Sequence, residues 1–413
     1  ALAPCQGQGC HDPAPVSRHG RRVSAGATCF SARAGDIEPR AAQRAADRVP
    51  LAKSQHNDTS VPDAGIRMLI HNEDELLRRK AELARLLRLR LDPAWFAFGG
   101  SERLAVVFDL EMHIAFLGEA VRFKVPRLFT EYVTWTYQLL ATAQGDVDRF
   151  EACLRAIAEL LRDNARGEWV AEAVADVEAA CTTMRSAPSP NTSYWLDDNP
   201  HRALGEAFLE ACLHLRRSQA GALVQQAVRA GVPVHEVYTH VITPAMRELG
   251  RLWHQNRVTV AQEHYCTAVA QMVMAQLFPV IFDSDRKAAG RIVSACVAGE
   301  LHEIGARMVA DLFEMAGWDT AFLGADVPRD SVVDMLIETE AQVLAISVTL
   351  AANLSDASAL IEAVRASAAC AAVKILVGGA AFNVEPTLWQ QMGCDGWAPD
   401  PGAALELADR WRS

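Results

Sequence analysis

Residues 291–305 read RIVSACVAGELHEIG, and this stretch decides the fold of the C-terminal part of the chain. Residues 291–297 form an apolar run with β-branched residues and no turn residue, which predicts a strand buried on both faces. Ligands of open α/β sheets bind beyond the carboxyl ends of such strands. We therefore expect His302 to face a ligand, with the Glu300 carboxylate fixing its tautomer and raising its basicity. Taken alone, such a histidine is more often an ordinary polar loop residue.

The sequence after residue 288 alternates between strand and helix patterns. Strands are predicted near 291–297, 319–323, 342–347, 373–377 and 395–398, and helices near 303–316, 329–339, 355–367, 384–391 and 402–411. This alternation predicts a parallel, doubly wound sheet with right-handed crossovers. We expect the flavodoxin-like (Rossmann-like) strand order 2-1-3-4-5.

Three anchors in this region have a characteristic spacing. They are the E-x-H-x-x-G motif that ends at Gly305, then Ser347 with Thr349 after 41 intervening residues (306–346), then Gly378 with Gly379 after a further 28 (350–377). The pattern resembles the cobalamin-binding domain family, whose motifs are D-x-H-x-x-G, S-x-L and G-G. Glu300 keeps the carboxylate of the usual Asp, whereas Thr349 removes the apolar bulk of the usual Leu. The resemblance implies base-off cobalamin with His302 below cobalt and the nucleotide tail near the other anchors.

Length and composition limit the class of protein. With 413 residues the chain has room for two or three domains, and its net charge of −11 argues against a nucleic-acid-binding face. The ten cysteines include no C-x-x-C pair, which favours free thiols in a reducing compartment. We find no apolar stretch of membrane-span length and no secretory signal, so we expect a cytoplasmic protein without membrane or direct nucleic-acid contacts.

The sequence before the α/β pattern divides into four parts. Residues 1–64 lack periodicity and predict a disordered tail. Residues 65–185 carry apolar residues at helical spacing and predict an all-α domain. Residues 186–199 have the composition of a linker, and residues 200–283 predict a bundle of about four helices. The α/β domain then occupies residues 288–413.

The second helical part contains a Trp253 that is followed, after nine residues, by Glu263-His264. The tryptophan closes one predicted helix and the Glu-His pair opens the next, so both lie at one end of the bundle. Taken alone, they would be a core-capping aromatic residue and a solvated helix start. Beside the cobalamin pattern, this spacing resembles the helical cap of light-sensing adenosylcobalamin proteins, including the CarH-type transcriptional repressors.

The cap resemblance implies roles for four residues. Trp253 shields the adenosyl group, Glu263 and His264 contact it, and His254 takes the vacated cobalt position after light. Loss of the adenosyl group then moves the cap and changes the oligomeric state. These implications favour a light-dependent homo-oligomer that passes its signal to a downstream protein the sequence does not identify.

The whole layout resembles the photocobilins, which combine cobalamin with biliverdin held in the N-terminal domain. Basic and aromatic residues of the first helical part suit a flat ligand with propionate groups. The candidate bilin contacts are His113, Arg122, Arg127, Tyr132 and Trp135. Individually, each is more often a core or solvated residue. No cysteine lies in an obvious attachment motif, so we expect noncovalent binding.

Two other classes of function remain open. A corrinoid protein for methyl transfer or a mutase subunit would also need a base-off histidine, and a light-independent cobalamin sensor would need the same pocket. A mutase barrel needs about 250 residues of its own, and no βα repeats precede residue 285. A winged-helix DNA reader is likewise not predicted at the N-terminus. We therefore favour a regulatory photoreceptor over an enzyme.

Overall fold

Three regions make up the part of the chain that the structure describes. This computed structural model describes residues 69–96, 109–143, 145–187, 192–281 and 290–412. The predicted tail at 1–64 lies outside the described residues. A first helical region, a second helical region and an α/β region follow one another and pack into one unit.

The first helical region is built around one nearly buried helix. The described helices are α1 Glu73–Arg78, α2 Lys80–Arg90, α3 Leu110–Arg122, α4 Pro126–Thr142, α5 Val147–Asn164 and α6 Trp169–Ser186. Asp109 caps α3, because its carboxylate accepts the backbone N–H of Met112 at 3.2 Å. Ten residues of α3 are buried, including Ile114, Leu117 and Val121, so this helix forms the centre of the region.

The second helical region has its own apolar core. Its helices are α7 Arg202–Leu213, α8 Arg217–Arg229, α9 Val234–Glu236, α10 Thr243–His254, α11 Val260–Gln276 and α12 Phe278–Ile281, with a π-helical turn at Val237–Ile242. Thr259 caps α11 in a capping box with Gln262.

The segment Val260–Ile281 corrects one expectation from composition. The segment has 22 residues, and an 18-residue window within it has a mean hydropathy of 1.2, which is enough, by length and composition alone, to cross a membrane. In the structure, Val269, Val273 and Met274 of this segment are buried in the core of the second helical region. The segment therefore packs as a core helix.

The α/β region contains a five-stranded parallel sheet in the order 2-1-3-4-5, which confirms the predicted topology. The strands are β1 Arg291–Cys296, β2 Asp319–Gly324, β3 Val343–Ser347, β4 Lys374–Gly378 and β5 Gly396–Trp397. In register, Cys296 pairs with Ser347, and Ser347 pairs with Gly378. The carboxyl ends of the three central strands therefore meet at one edge of the sheet.

The central strands of this sheet are largely buried. Helices cover both faces of the sheet. They are α13 Ile304–Met315, α14 Arg329–Glu338, α15 Leu354–Ala366, α16 Ala380–Val384, α17 Leu388–Gln391 and α18 Pro401–Arg412. The single helix predicted near 384–391 is wrong, because two short helices occupy residues 380–391. A 3₁₀ turn at Ala351–Asn353 precedes α15.

Gly379 has a backbone conformation that only glycine adopts readily. Its φ is 98° and its ψ is 172°, and a Cβ atom there would lie 2.3 Å from the carbonyl oxygen of Val348. This close approach holds the loop after β4 against the loop after β3.

We expect Gly379→Ala to lower the free energy of unfolding by more than about 1–3 kcal/mol, because the steric clash adds to the backbone strain. Denaturant unfolding monitored by circular dichroism measures the change. Gly250→Ala is the matched control, since a Cβ there meets nothing within 4 Å and alanine favours an exposed helix position by about 1 kcal/mol. Equal stability of Gly379→Ala and wild type would contradict this account of the loop.

Candidate cofactor site at the carboxyl edge of the sheet

Glu300 is a fully buried carboxylate that ties the loop after β1 to the loop after β3. Its Oε2 accepts the backbone N–H groups of Thr349 at 2.8 Å and Leu350 at 2.9 Å, and the side-chain amide of Asn353 at 3.2 Å. Burial alone would raise the pKa of Glu300, but hydrogen bonds from His302 and Leu350 lower it to about 2. The carboxylate therefore stays ionised and holds both loops.

The same carboxylate orients His302. Glu300 Oε1 accepts the backbone N–H of His302 at 3.0 Å and lies 2.5 Å from its Nδ1. This contact places the ring hydrogen on Nδ1 and leaves Nε2 to face a ligand. The His302 side chain is 56% exposed. Its pKa is raised, chiefly by the hydrogen bond to Glu300, so its ring is a more basic donor than a free imidazole.

The edge of the sheet beside His302, referred to below as the cradle, is open to solvent. A Cβ atom at Gly305, in the first turn of α13, would meet nothing within 4 Å. The anchors at the ends of β3 and β4 are half-buried rather than packed into the core, namely Ser347, Thr349, Gly378 and Gly379. The anchors predicted from spacing therefore line one edge next to the imidazole, as expected for a site that admits a bulky ligand.

The second helical region is fastened to α13, which begins just after His302. Tyr238 donates to Asp311 at 2.6 Å, and the Gln271 amide donates to Glu303 at 2.5 Å. Met308 of α13 is buried in the core of the second helical region. These contacts place the second helical region beside the cradle.

The predicted Glu-His pair lies at the start of α11. Glu263 and His264 contact each other at 2.7 Å, and Thr267 donates to Glu263 at 2.8 Å. The negative charge of Glu263 is a smaller contributor, after Glu300, to the raised pKa of His302. The Glu263 carboxylate is thus near enough to His302 to act on it electrostatically.

His254 is held by the first helical region. The residue is 4% exposed, and its Nε2 lies 2.9 Å from the carbonyl oxygen of Trp135. The backbone carbonyl of His254 accepts the hydroxyl of Thr142 at 2.8 Å. In this structure His254 is therefore engaged away from the cradle.

Trp253, the neighbour of His254, contacts the same part of the first helical region. Its ring stacks on that of Trp135, with centroids 6.0 Å apart and an interplanar angle of 19°. Trp253 is half-buried and packs against apolar residues of both helical regions. The end of α10 therefore joins the two helical regions.

The five candidate bilin residues do not share one surface. His113 is buried in the core, with its Nδ1 2.7 Å from the hydroxyl of Tyr132. Arg122 donates to Ser355 of the α/β region at 2.8 Å. Arg127 and Trp135 instead line a groove of about 440 Å³ between α4 and the end of α6.

Sequence reasoning missed the residues that join the regions. Ser355, at the start of α15, donates its backbone N–H to the buried carboxylate of Glu119 at 3.1 Å. Asn353, a partner of Glu300, was also missed. The signal available for Asn353 was its position just after the Ser347 and Thr349 motif, because a buried carboxylate needs donors from the loop beside it. No local pattern marks the contact between Glu119 and Ser355.

Two parts of this chain are similar to known proteins. Two family models described as B12 binding domain match residues 204–278 and 290–406. The chain is 26% identical to dimethylamine corrinoid protein 3 of Methanosarcina acetivorans over 205 residues, which are 48% of this chain and 92% of that protein. It is 30% identical to the HTH-type transcriptional repressor CarA of Myxococcus xanthus over 139 residues, which are 33% of this chain and 45% of the repressor.

One solved structure aligns with part of the chain. The Methanosarcina barkeri monomethylamine corrinoid protein aligns with 51% of this chain and 99% of its own, at 21% identity and a TM-score of 0.46. The residues at the sheet edge suit a cobalamin, because His302 offers a ring nitrogen to cobalt and Gly305 leaves open space beside it. The matches of residues 204–278 and 290–406 to B12 binding domain models support a cobalamin as the cofactor of this chain.

Proposed function

We propose that this chain is a light sensor that binds adenosylcobalamin base-off, with His302 as the lower axial ligand of cobalt. The observation that supports this most directly is the stacking of Trp253 on Trp135 of the first helical region. The dimethylamine corrinoid protein is matched over 92% of its length by only 48% of this chain. The first helical region thus lies outside the part of this chain that matches that relative. It contacts Trp253, the residue expected to shield the upper ligand.

At the lower face, the chain supplies a fixed nitrogen donor. Glu300 holds the Nδ1 side of His302, so the ring presents Nε2 without having to reorient on binding. We expect the nucleotide tail to lie near Ser347, Gly378 and Gly379 at the strand ends. Thr349 contributes through its backbone N–H to Glu300, which does not depend on the bulk of the usual Leu.

At the upper face, adenosylcobalamin supplies a cobalt–carbon bond that light breaks. When the cofactor is bound, Trp253 would shield this side from water, and Glu263 and His264 would contact the adenosyl group. For His254 to reach the cobalt afterwards, it must leave the carbonyl oxygen of Trp135. Loss of this hydrogen bond would weaken the contact between the two helical regions. That contact would then have two states, and the change of cobalt ligand would shift the balance between them.

The readout of this change is a different assembly state. We propose a cytoplasmic homo-oligomer whose contacts depend on light and which signals to a separate downstream protein. Direct nucleic-acid binding is not part of the proposal, because the net charge of −11 opposes it.

A second candidate function is methyl transfer. It is favoured by the similarity to a dimethylamine corrinoid protein, and a base-off histidine serves that chemistry as well. A light-independent cobalamin sensor would use the same lower face. Neither alternative explains the contacts of Trp135 with Trp253 and His254, which is why we favour the light sensor.

We also propose biliverdin as a second chromophore in the first helical region. The groove of about 440 Å³ between α4 and α6 is lined by Arg127 and Trp135, and its size is within the usual range for small-molecule sites. Arg127 is paired with Glu131 at 2.6 Å, so a propionate group would have to compete with this carboxylate. His113, Arg122 and Tyr132 contact other parts of the chain and are weaker candidates.

Loss of the lower ligand provides the first test. His302→Ala should abolish histidine ligation of bound cobalamin, and Glu300→Gln should weaken binding by about 10- to 100-fold, because it removes the partner that orients the ring. Absorption spectra and titration measure both effects. His235→Ala, at an exposed histidine of the second helical region, is the control. Histidine ligation that persists in His302→Ala would exclude the proposed ligand.

Illumination provides the second test. We expect green light to change the absorption spectrum and the oligomeric state of the full chain loaded with adenosylcobalamin, as measured by spectroscopy and light scattering. Trp253→Ala should alter the rate of photolysis because it removes the shield, and a sample kept in the dark is the control. If light changes neither quantity while a methylated corrinoid turns over with a partner enzyme, methyl transfer is the function.

Biliverdin addition provides the third test. The full chain should develop a new red-absorbing band, and Arg127→Ala combined with Trp135→Ala should weaken it by removing the groove contacts. Arg155→Ala is the matched control, since Arg155 lies on α5 and pairs with Glu151 at 2.7 Å. The absence of any new band would contradict biliverdin binding, and it would leave the proposal of cobalamin binding unaffected.

A further inference from the structure

Glu119 is a fully buried carboxylate that the proposed light-sensing mechanism does not use. It lies on α3 of the first helical region, yet its Oε1 accepts the backbone N–H of Ser355 in the α/β region at 3.1 Å. Arg122, one turn later on α3, donates to the Ser355 hydroxyl at 2.8 Å. Two residues of one helix therefore hold a single residue in the first turn of α15.

The residue they hold ends the segment that binds Glu300. The segment runs from Thr349 through the 3₁₀ turn at Ala351–Asn353 to Ser355. Three donors of the segment, from Thr349, Leu350 and Asn353, bind Glu300 Oε2 at 2.8–3.2 Å, and Glu119 binds its last residue. Two buried carboxylates thus fix these seven residues, one from the first helical region and one from the α/β region.

We propose that Glu119 is a positioning residue for the lower axial ligand, acting through the segment 349–355 and Glu300 on the imidazole of His302. This inference rests on the proposed role of His302 as the cobalt ligand. The carboxylate on α3 fixes the end of the segment, the segment presents its donors to Glu300, and Glu300 sets the ring orientation. Docking of the first helical region thereby determines how well the lower ligand is preorganised.

The chemistry of the contact suggests the choice of variants. Burial raises the pKa of Glu119 to about 7, against smaller opposing effects of Ser355 and Arg122. A neutral side chain of the same shape is therefore close to the native state at neutral pH. Glu119→Gln keeps an oxygen that accepts the Ser355 N–H, whereas Glu119→Ala removes the acceptor.

The test compares these variants in the full chain, with hydroxocobalamin as the probe. We expect Glu119→Ala to weaken cobalamin binding about three- to tenfold and to lower the histidine-bound fraction seen in the absorption spectrum, because energetic coupling between distant groups has this typical size. Glu119→Gln should restore both quantities. Glu111→Ala, at an exposed glutamate on the same helix, should leave both unchanged.

A measurement without cofactor separates this inference from the proposed function. In the cofactor-free chain, Glu119→Ala should accelerate hydrogen exchange at the amides of Thr349 and Leu350. If wild type shows histidine ligation but Glu119→Ala matches it in affinity, spectrum and exchange, the positioning role is wrong and the proposed function stands. An equal loss in Glu111→Ala would also overturn the inference, because the effect would then reflect general destabilisation. A wild type without histidine ligation would refute the proposed function itself.

Discussion

The ionised, fully buried carboxylate of Glu300 is the constraint on which the cofactor site depends. An uncompensated charge in such a place costs several kcal/mol, and here it is offset by donors from two loops: the N–H and ring Nδ1 of His302, the N–H groups of Thr349 and Leu350, and the amide of Asn353. The loops after β1 and β3 must therefore keep one relative position. The direction of the His302 ring follows from that position rather than from packing of the ring itself.

Both helical regions are built onto this same edge. The second helical region is joined to α13 by the bonds from Tyr238 and Gln271, and the first helical region contacts both Ser355 and His254. On the proposed mechanism, a change of ligand on either side of the cofactor would therefore alter contacts of the first helical region. Coupling of binding free energies is reciprocal, so the same proposal implies that the state of that region affects cobalamin binding.

Much of the α/β region followed from the sequence, because buried strands alternating with helices leave few topologies, and the spacing of the motifs placed the anchors at one edge. The contacts between regions did not follow, because bonds such as Glu119 to Ser355 join residues 236 positions apart and leave no local periodic signal. Helical spacing explains why the candidate bilin residues do not share one surface. Residues 127, 131, 134 and 138 share one face of α4, whereas Tyr132 lies on another face, so composition alone could not separate surface from core.

The most direct test of the account is electron paramagnetic resonance of the cob(II)alamin-loaded chain, prepared with ordinary histidine and with histidine labelled with the heavy nitrogen isotope. If His302 ligates cobalt, the nitrogen splitting should change from triplets to doublets on labelling, and it should disappear in His302→Ala. A splitting that remains a triplet after labelling would show that the nitrogen comes from the cofactor's own base, and it would contradict the central claim.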